Sequence, residues 1–129
     1  INAVAIAPTG NYLATCSEDK TAKIWDIASG LCLNTLIGHT DGVKDIAIDS
    51  TGNYLMTGSS DKTTRIWDCS SGLCLHVLTG HTDDVYAVAI DPSSKYLATG
   101  SYDKTAKVWE FKLNSEQSLS TFIDQLAGV

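Results

Sequence analysis

Hydrophobic and polar positions alternate with a period of two along much of this chain. Val43, Asp45, Ala47 and Asp49 alternate with Lys44, Ile46 and Ile48. The run Tyr54-Leu55-Met56-Thr57 follows, then Thr63-Thr64-Arg65-Ile66-Trp67, then Leu73-Cys74-Leu75-His76-Val77-Leu78. Short runs rich in β-branched and aromatic residues are the pattern of strands rather than helices. Turn-forming clusters separate them: Ser50-Thr51-Gly52-Asn53, Ser59-Ser60-Asp61-Lys62, Asp68-Cys69-Ser70-Ser71-Gly72 and Gly80-His81-Thr82-Asp83-Asp84. The pattern predicts four short antiparallel strands, a to d in chain order.

The same unit recurs. Trp25, Trp67 and Trp109 are spaced by 42 residues, as are Asp19, Asp61 and Asp103, and Tyr12, Tyr54 and Tyr96. Residues 1–42 and 43–84 share 25 identities without a gap. Chance does not hold three tryptophans in register, so the repeat sets the architecture. Four antiparallel strands per 42-residue unit is one propeller blade. The expected fold class is all-β, a partial β-propeller of three four-stranded antiparallel blades. Blade one spans 1–37, blade two 43–79 and blade three 85–124, within a single segment 1–129.

After Trp109 the repeat drifts, and two readings of the C-terminal stretch stand. Leu119, Phe122, Ile123 and Leu126 have helical spacing. Alternatively, LSTFI at 119–123 matches LNTLI at 33–37 and forms strand d of blade three, after a polar loop over Lys112–Ser118. The strand is preferred, because without it strand c leaves an open edge.

The units resemble the WD-repeat β-propeller family. The residues that carry the resemblance are GHTDGV at 38–43, GNYLMTGSSDKTTRIWD at 52–68, GHTDDV at 80–85 and KYLATGSYDKTAKVW at 95–109. The first unit has GNYLATCSEDKTAKIWD at 10–26, and the third departs from the pattern by ending Trp109-Glu110. The resemblance covers residues 1–110. It implies an Asp–His–Ser/Thr–Trp hydrogen-bonded tetrad in each blade. By position these are His39, Thr57, Asp61, Trp67 and His81, Thr99, Asp103, Trp109. Thr15, Asp19 and Trp25 stand in blade one, where the histidine position falls before Ile1. Taken alone, His39, Thr57 and Asp61 look like a catalytic hydroxyl–imidazole–carboxylate triad. A set repeated in each copy fits a fold-holding network better, since catalysis needs its constellation once.

The resemblance also implies a rigid interaction platform that binds through one end of the propeller, built from d–a loops and b–c turns. By register the candidate partner-binding residues are Asp41, Gly42 and Lys44, then Asp83, Asp84 and Tyr86, with Glu18, Ser60 and Tyr102 in the b–c turns. These vary between copies while the tetrad does not. Tyr86 and Tyr102 stand out because exposed aromatics suit interfaces. An acidic rim of Glu18, Asp41, Asp83 and Asp84 favours a basic protein or peptide partner.

Charge and cysteine usage narrow the picture. Nine Lys plus Arg against fifteen Asp plus Glu give a net charge of −6, which argues against a nucleic-acid partner. No run of 18 apolar residues exists, so no helical membrane span is expected. Residues 1–12 carry no basic signal region. Cys16, Cys32, Cys69 and Cys74 lack C-x-x-C spacing. Small buried hydrophobes are the preferred reading and a disulfide or metal role the alternative. Free thiols fit a reducing compartment, hence a cytoplasmic or nuclear protein. His76, outside the tetrads, is expected on the exposed outer strand. No cofactor or metal site and no enzyme activity is expected.

Three blades do not close a ring, since propellers typically need four to eight. The start at Ile1 and the tetrad of blade one lacking its histidine suggest a piece of a longer propeller. The other way to supply the remaining blades is a second copy joined head to tail, giving six. The leading expectation is a non-catalytic WD-repeat scaffold for protein–protein interaction. The alternative is a structural or regulatory propeller portion of a larger multidomain enzyme or signalling protein.

Overall fold

Twelve strands are laid out in chain order and gathered four at a time. A computed structural model describes residues 1–111 and 119–123. The first sheet contains β1 (Ala3–Ile6), β2 (Tyr12–Cys16), β3 (Thr21–Asp26) and β4 (Cys32–Ile37). The second contains β5 (Val43–Ile48), β6 (Tyr54–Ser59), β7 (Thr64–Asp68) and β8 (Cys74–Leu78). The third contains β9 (Val85–Ile90), β10 (Tyr96–Ser101), β11 (Ala106–Phe111) and β12 (Leu119–Ile123). Each sheet is antiparallel and keeps sequence order from one edge to the other. These are three propeller blades, and the class expected from the repeat is the class observed.

Local chemistry explains the hairpins. The a–b turns need one left-handed residue, and Gly10 and Gly52 supply it with φ of 75° and 78°. Ser94 takes the same conformation at φ 60° in blade three. Its hydroxyl, 3.2 Å from Asp49 Oδ2, donates to that carboxylate across the blade boundary, which helps hold the strained backbone. Between strands c and d the register shifts next to the tryptophan in all three blades, so Trp25, Trp67 and Trp109 each sit at a bulge. A bulge adds twist and re-aims the side chain beside it.

The end of blade three is a strand. β12 pairs with β11, with Phe111 opposite Leu119 and Val108 opposite Ile123. The helical alternative fails over 119–123, because covering the edge of β11 satisfies its backbone groups. The loop expected over Lys112–Ser118 lies outside the described residues.

Two apolar layers join the blades, and they have the same polarity. Ala14, Cys16, Ala22, Ile24 and Leu36 of blade one face Val43, Ile46, Leu55, Trp67 and Cys69 of blade two. Met56, Ile66 and Leu78 of blade two face Val85, Val88, Leu97 and Trp109 of blade three. The faces of Trp67 and Trp109 therefore each meet the other face of the preceding blade. Blade two is covered on both sides, which is why β6 is buried at five successive positions, Leu55 to Ser59, despite its period-two sequence. Backbone bonds cross the boundary too: Val43 N–H donates to the Ser17 carbonyl at 2.9 Å, and Val88 N–H donates to the Asp45 carboxylate at 2.9 Å.

Two expectations about single residues need correction. Cys16 and Cys69 are buried, but Cys32 is exposed and Cys74 only half-buried. Both belong to strand d, the outer edge of its sheet, where no further strand covers them. His76, expected exposed, is half-buried opposite Ile66, and burial lowers its pKa.

Gly58 shows how tight the blade contact is. A Cβ built there lies 2.9 Å from Val85 Cγ1 and 3.2 Å from the Val85 carbonyl oxygen. Gly58→Ala is expected to destabilise the chain by about 1–3 kcal/mol through overpacking, read as a lower urea midpoint. An unchanged midpoint contradicts a rigid interface between blades two and three.

Candidate functional site

The d–a loop that enters blade two carries His39, and the b–c turn of the same blade carries Asp61. Strand b holds Thr57, and Trp67 lies across the sheet on strand c. The structure brings the four together. His39 Nδ1 is 2.8 Å from Asp61 Oδ2 and Nε2 is 2.7 Å from Thr57 Oγ1. Trp67 Nε1–H donates to Thr57 Oγ1 at 2.9 Å. One neutral tautomer serves the whole chain, with Nδ1–H donating to the carboxylate and Nε2 accepting the Thr57 hydroxyl. That hydroxyl in turn accepts the indole N–H. Buried polar groups need such partners, and His39, Thr57 and Trp67 are all buried.

Blade three repeats the geometry. His81 lies 2.8 Å from both Asp103 Oδ2 and Thr99 Oγ1, while Trp109 Nε1 reaches Thr99 at a longer 3.4 Å. In blade one Trp25 Nε1–H donates to Thr15 Oγ1 at 2.9 Å, and Asp19 accepts from the Thr21 amide and hydroxyl. A cavity of about 120 Å³ is lined by Thr15, Asp19, Thr21 and Trp25 among others.

The sequence reading missed a fifth participant. Thr63 Oγ1–H donates to Asp61 Oδ1 at 2.6 Å, and Thr105 makes the same bond to Asp103. The Thr40 and Thr82 amides also donate to these carboxylates, at 3.1 and 3.0 Å. The signal was available, since Thr follows each Asp by two residues in all three copies. A second missed cluster surrounds Asp49, which is fully buried and accepts from the Thr51 and Ser94 hydroxyls and from the Asn53 and Tyr54 amides.

Connectivity in blade two is that of a nucleophile–base–orienter relay, yet the chemistry is closed. Thr57 is 0% exposed, and its oxygen is already engaged by an imidazole and an indole. A substrate carbonyl has no approach to it. Among the described residues no group of three or more His, Cys, Asp or Glu side chains is placed to hold a metal ion. Among the same residues no helix is long and apolar enough to cross a membrane.

The variable positions gather at the loop end of the blades. Glu18 of blade one forms an ion pair with Lys44 of blade two, and Asn2 Nδ2–H donates to the same carboxylate at 2.7 Å. Lys44 is held charged, first by its bond to Glu18 and then by nearby Asp84 and Asp41. Asp41 and Asp83 each accept the next residue's amide, at 2.7 and 2.8 Å. The Ser60 amide donates to the Gly42 carbonyl, and the Tyr102 amide to that of Asp84. The rings of Tyr86 and Tyr102 touch, with centroids 4.6 Å apart.

A chain with this buried imidazole–carboxylate–hydroxyl–indole arrangement in two of its blades, under a rim of differing side chains, is a repeat protein of the propeller class. The chain belongs to the WD40 family. Its repeat model, described as WD domain, G-beta repeat, matches residues 1–26, 30–68 and 72–110. Among curated proteins, the chain is similar to the nuclear distribution protein PAC1 of Coccidioides posadasii, 50% identical over 38 residues. It is also similar to the Lissencephaly-1 homolog of Heterostelium pallidum, 60% identical over 35 residues. These matches cover 30% and 27% of this chain, and each covers 8% of the relative's length.

Burial raises the Asp61 carboxyl, but hydrogen bonds from His39, Thr63 and Thr40 outweigh it and hold the group well below its ordinary value. Asp103 is lowered in the same way, with Thr105 and His81 as the strongest donors. A depressed folded pKa contributes stability that is present above the unfolded value, about 3.9, and is lost as pH falls through the folded one. The urea midpoint should therefore drop on acidification below about pH 4, and less steeply in Asp61→Asn. Equal acid slopes for wild type and variant contradict this assignment.

Truncation separates the members. Asp61→Ala is expected to cost about 1–3 kcal/mol by orphaning buried donors. Trp67→Ala should cost about 3–5 kcal/mol by opening a cavity between blades one and two. Calorimetry checks both, and an unshifted transition in either variant refutes the role.

Proposed function

We propose that this chain is a non-catalytic protein-interaction module. In this reading the buried tetrads are framework, and the partner-binding surface is the rim of Glu18, Asp41, Lys44, Ser60, Asp83, Asp84, Tyr86 and Tyr102. One observation carries the proposal. Equivalent rim pairs differ in all three blades, Asn2 with Glu18, Lys44 with Ser60 and Tyr86 with Tyr102, while the bonds beneath them are repeated. A fixed frame under a varied surface suits recognition and not a shared structural need. The tetrads support the non-catalytic part, because a hydroxyl buried beneath an indole has no route to substrate.

The partner class follows from charge. Four carboxylates at the rim, with Lys44 already paired to Glu18, present a negative surface that favours a basic segment of a protein. Acid composition counts against nucleic acid. Further blades, from a longer chain or from a second copy, complete the platform in this reading. Four free cysteines support a reducing compartment, cytoplasmic or nuclear. The relatives' names describe proteins of which this chain matches a small part, so no particular partner is transferred.

Fluorescence polarisation with a labelled basic peptide tests the rim. Asp41→Asn, Asp83→Asn and Asp84→Asn combined should weaken capture at least tenfold and flatten its salt dependence. Undiminished binding by the triple variant contradicts the rim assignment. In an ester-hydrolysis assay wild type and His39→Ala should match the buffer blank. Turnover that disappears in a still-folded His39→Ala refutes the non-catalytic reading.

A further inference from the structure

The rim pairs are more than variable positions, because one of them already holds a cation. At the boundary of blades one and two, Glu18 accepts a hydrogen bond from Asn2 Nδ2 and pairs with the ammonium of Lys44. Asn2 immediately precedes strand a of its blade and Glu18 sits in the b–c turn. The residues at the same register in blade three are Tyr86 and Tyr102. Their rings stand 4.6 Å apart at an interplanar angle of 41°, and they are 45% and 64% exposed. Neither ring belongs to the apolar layers between blades. Two large aromatic rings left in water contribute little to the fold.

The backbone beneath the rings is fixed. Tyr102 N–H donates to the Asp84 carbonyl at 3.0 Å, and Tyr86 lies on β9 between buried Val85 and half-buried Ala87. The two rings therefore form a prearranged aromatic surface, with little rotamer entropy left to lose on contact. Asp83 and Asp84 lie in the loop just before Tyr86. Asp84 also acts electrostatically on Lys44 of the neighbouring blade, so its charge reaches along the rim. Among the described residues, the cation that lines a cavity of about 360 Å³ together with both rings is Lys104, whose side chain is exposed. Two carboxylates against one flexible ammonium leave the surroundings negative.

Resting on the interaction reading above, we propose that Tyr86 and Tyr102 form a docking site for an arginine side chain of a basic partner segment. Ring faces attract cations, and a planar guanidinium stacks on them while its fork reaches carboxylates. An ammonium has the charge without the plane, and it is more strongly hydrated. At the equivalent pair of blade one the cation meets a carboxylate, whereas at this pair it meets aromatic faces with carboxylates behind them. That difference selects arginine over lysine.

Three labelled peptides of one sequence, Gly-Xaa-Gly-Xaa-Gly with Xaa as arginine, lysine or the neutral isostere citrulline, test the site by fluorescence polarisation on the full chain. The arginine peptide is expected to bind at least threefold more tightly than the lysine peptide, and the citrulline peptide at least tenfold more weakly. Tyr86→Ala and Tyr102→Ala should each weaken the arginine peptide at least fivefold, while Tyr102→Phe, which keeps the ring, stays within twofold. Circular dichroism establishes that each variant is folded, and a second pair, Tyr86→Leu and Tyr102→Leu, retains bulk without the aromatic face and should lose binding equally. Arginine binding that survives all four tyrosine truncations but falls in the aspartate triple variant overturns the arginine site and leaves the rim reading standing. No binding of any peptide to wild type overturns both. Equal affinity for arginine and lysine peptides overturns the choice of guanidinium.

Discussion

The entrances of blades two and three depend on a buried carboxylate that stays ionised. Asp61 and Asp103 sit in tight b–c turns, with side chains only 6% and 7% exposed. An isolated buried charge is unfavourable by several kcal/mol in a real protein interior. Here an imidazole N–H, a threonine hydroxyl and two backbone amides converge on it, so the charge is spread over donors from two segments. The d–a loop and the b–c turn are thereby fixed to one point. Without that convergence the loop before each strand a has no reason to lie where it does, and the rim has no fixed floor.

From that point outward the packing is directional. A large indole on one blade meets smaller aliphatic side chains on its neighbour: Trp67 shares its layer with Ala14, Ala22 and Ile24, and Trp109 shares its layer with Met56 and Ile66. Bulk on one side and room on the other let the sheets approach until Gly58 has no space for a methyl group. The tryptophan serves twice, filling the interface with its ring and ending the polar chain with its N–H.

Much of this was legible in the sequence because it is repeated. A 42-residue period shows which residues are equivalent, and equivalence exposes the tetrad and the four-strand unit without coordinates. What was hidden is what occurs once or depends on neighbours in space. Cys32 and Cys74 share the string Leu-Cys-Leu with no hint that strand d is an uncovered edge. Ser94 and Asp49 are 45 residues apart and meet only because two blades touch. Thr63 could have been found, since its spacing to Asp61 recurs, but a threonine at the head of a strand-like run reads first as β propensity. The tyrosine pair was visible as two candidates, and its ring contact was not, because a b–c turn folds back beside the start of strand a.

The alternation of faces has a dynamic consequence. In a stacked array each unit's resistance to opening is its own stability plus the interfaces it shares. Blade two shares two interfaces and each of the others shares one within this arc. The amides of β6, walled in on both sides, then become the slow-exchanging heart of the molecule, and protection from solvent deuterium fades outward in both directions. A rim carried on such an array is not equally firm along its length. Side chains over the middle blade stand on a sheet packed on both faces by its neighbours in this arc, while the tyrosines of blade three stand on a sheet that meets blade two through one face.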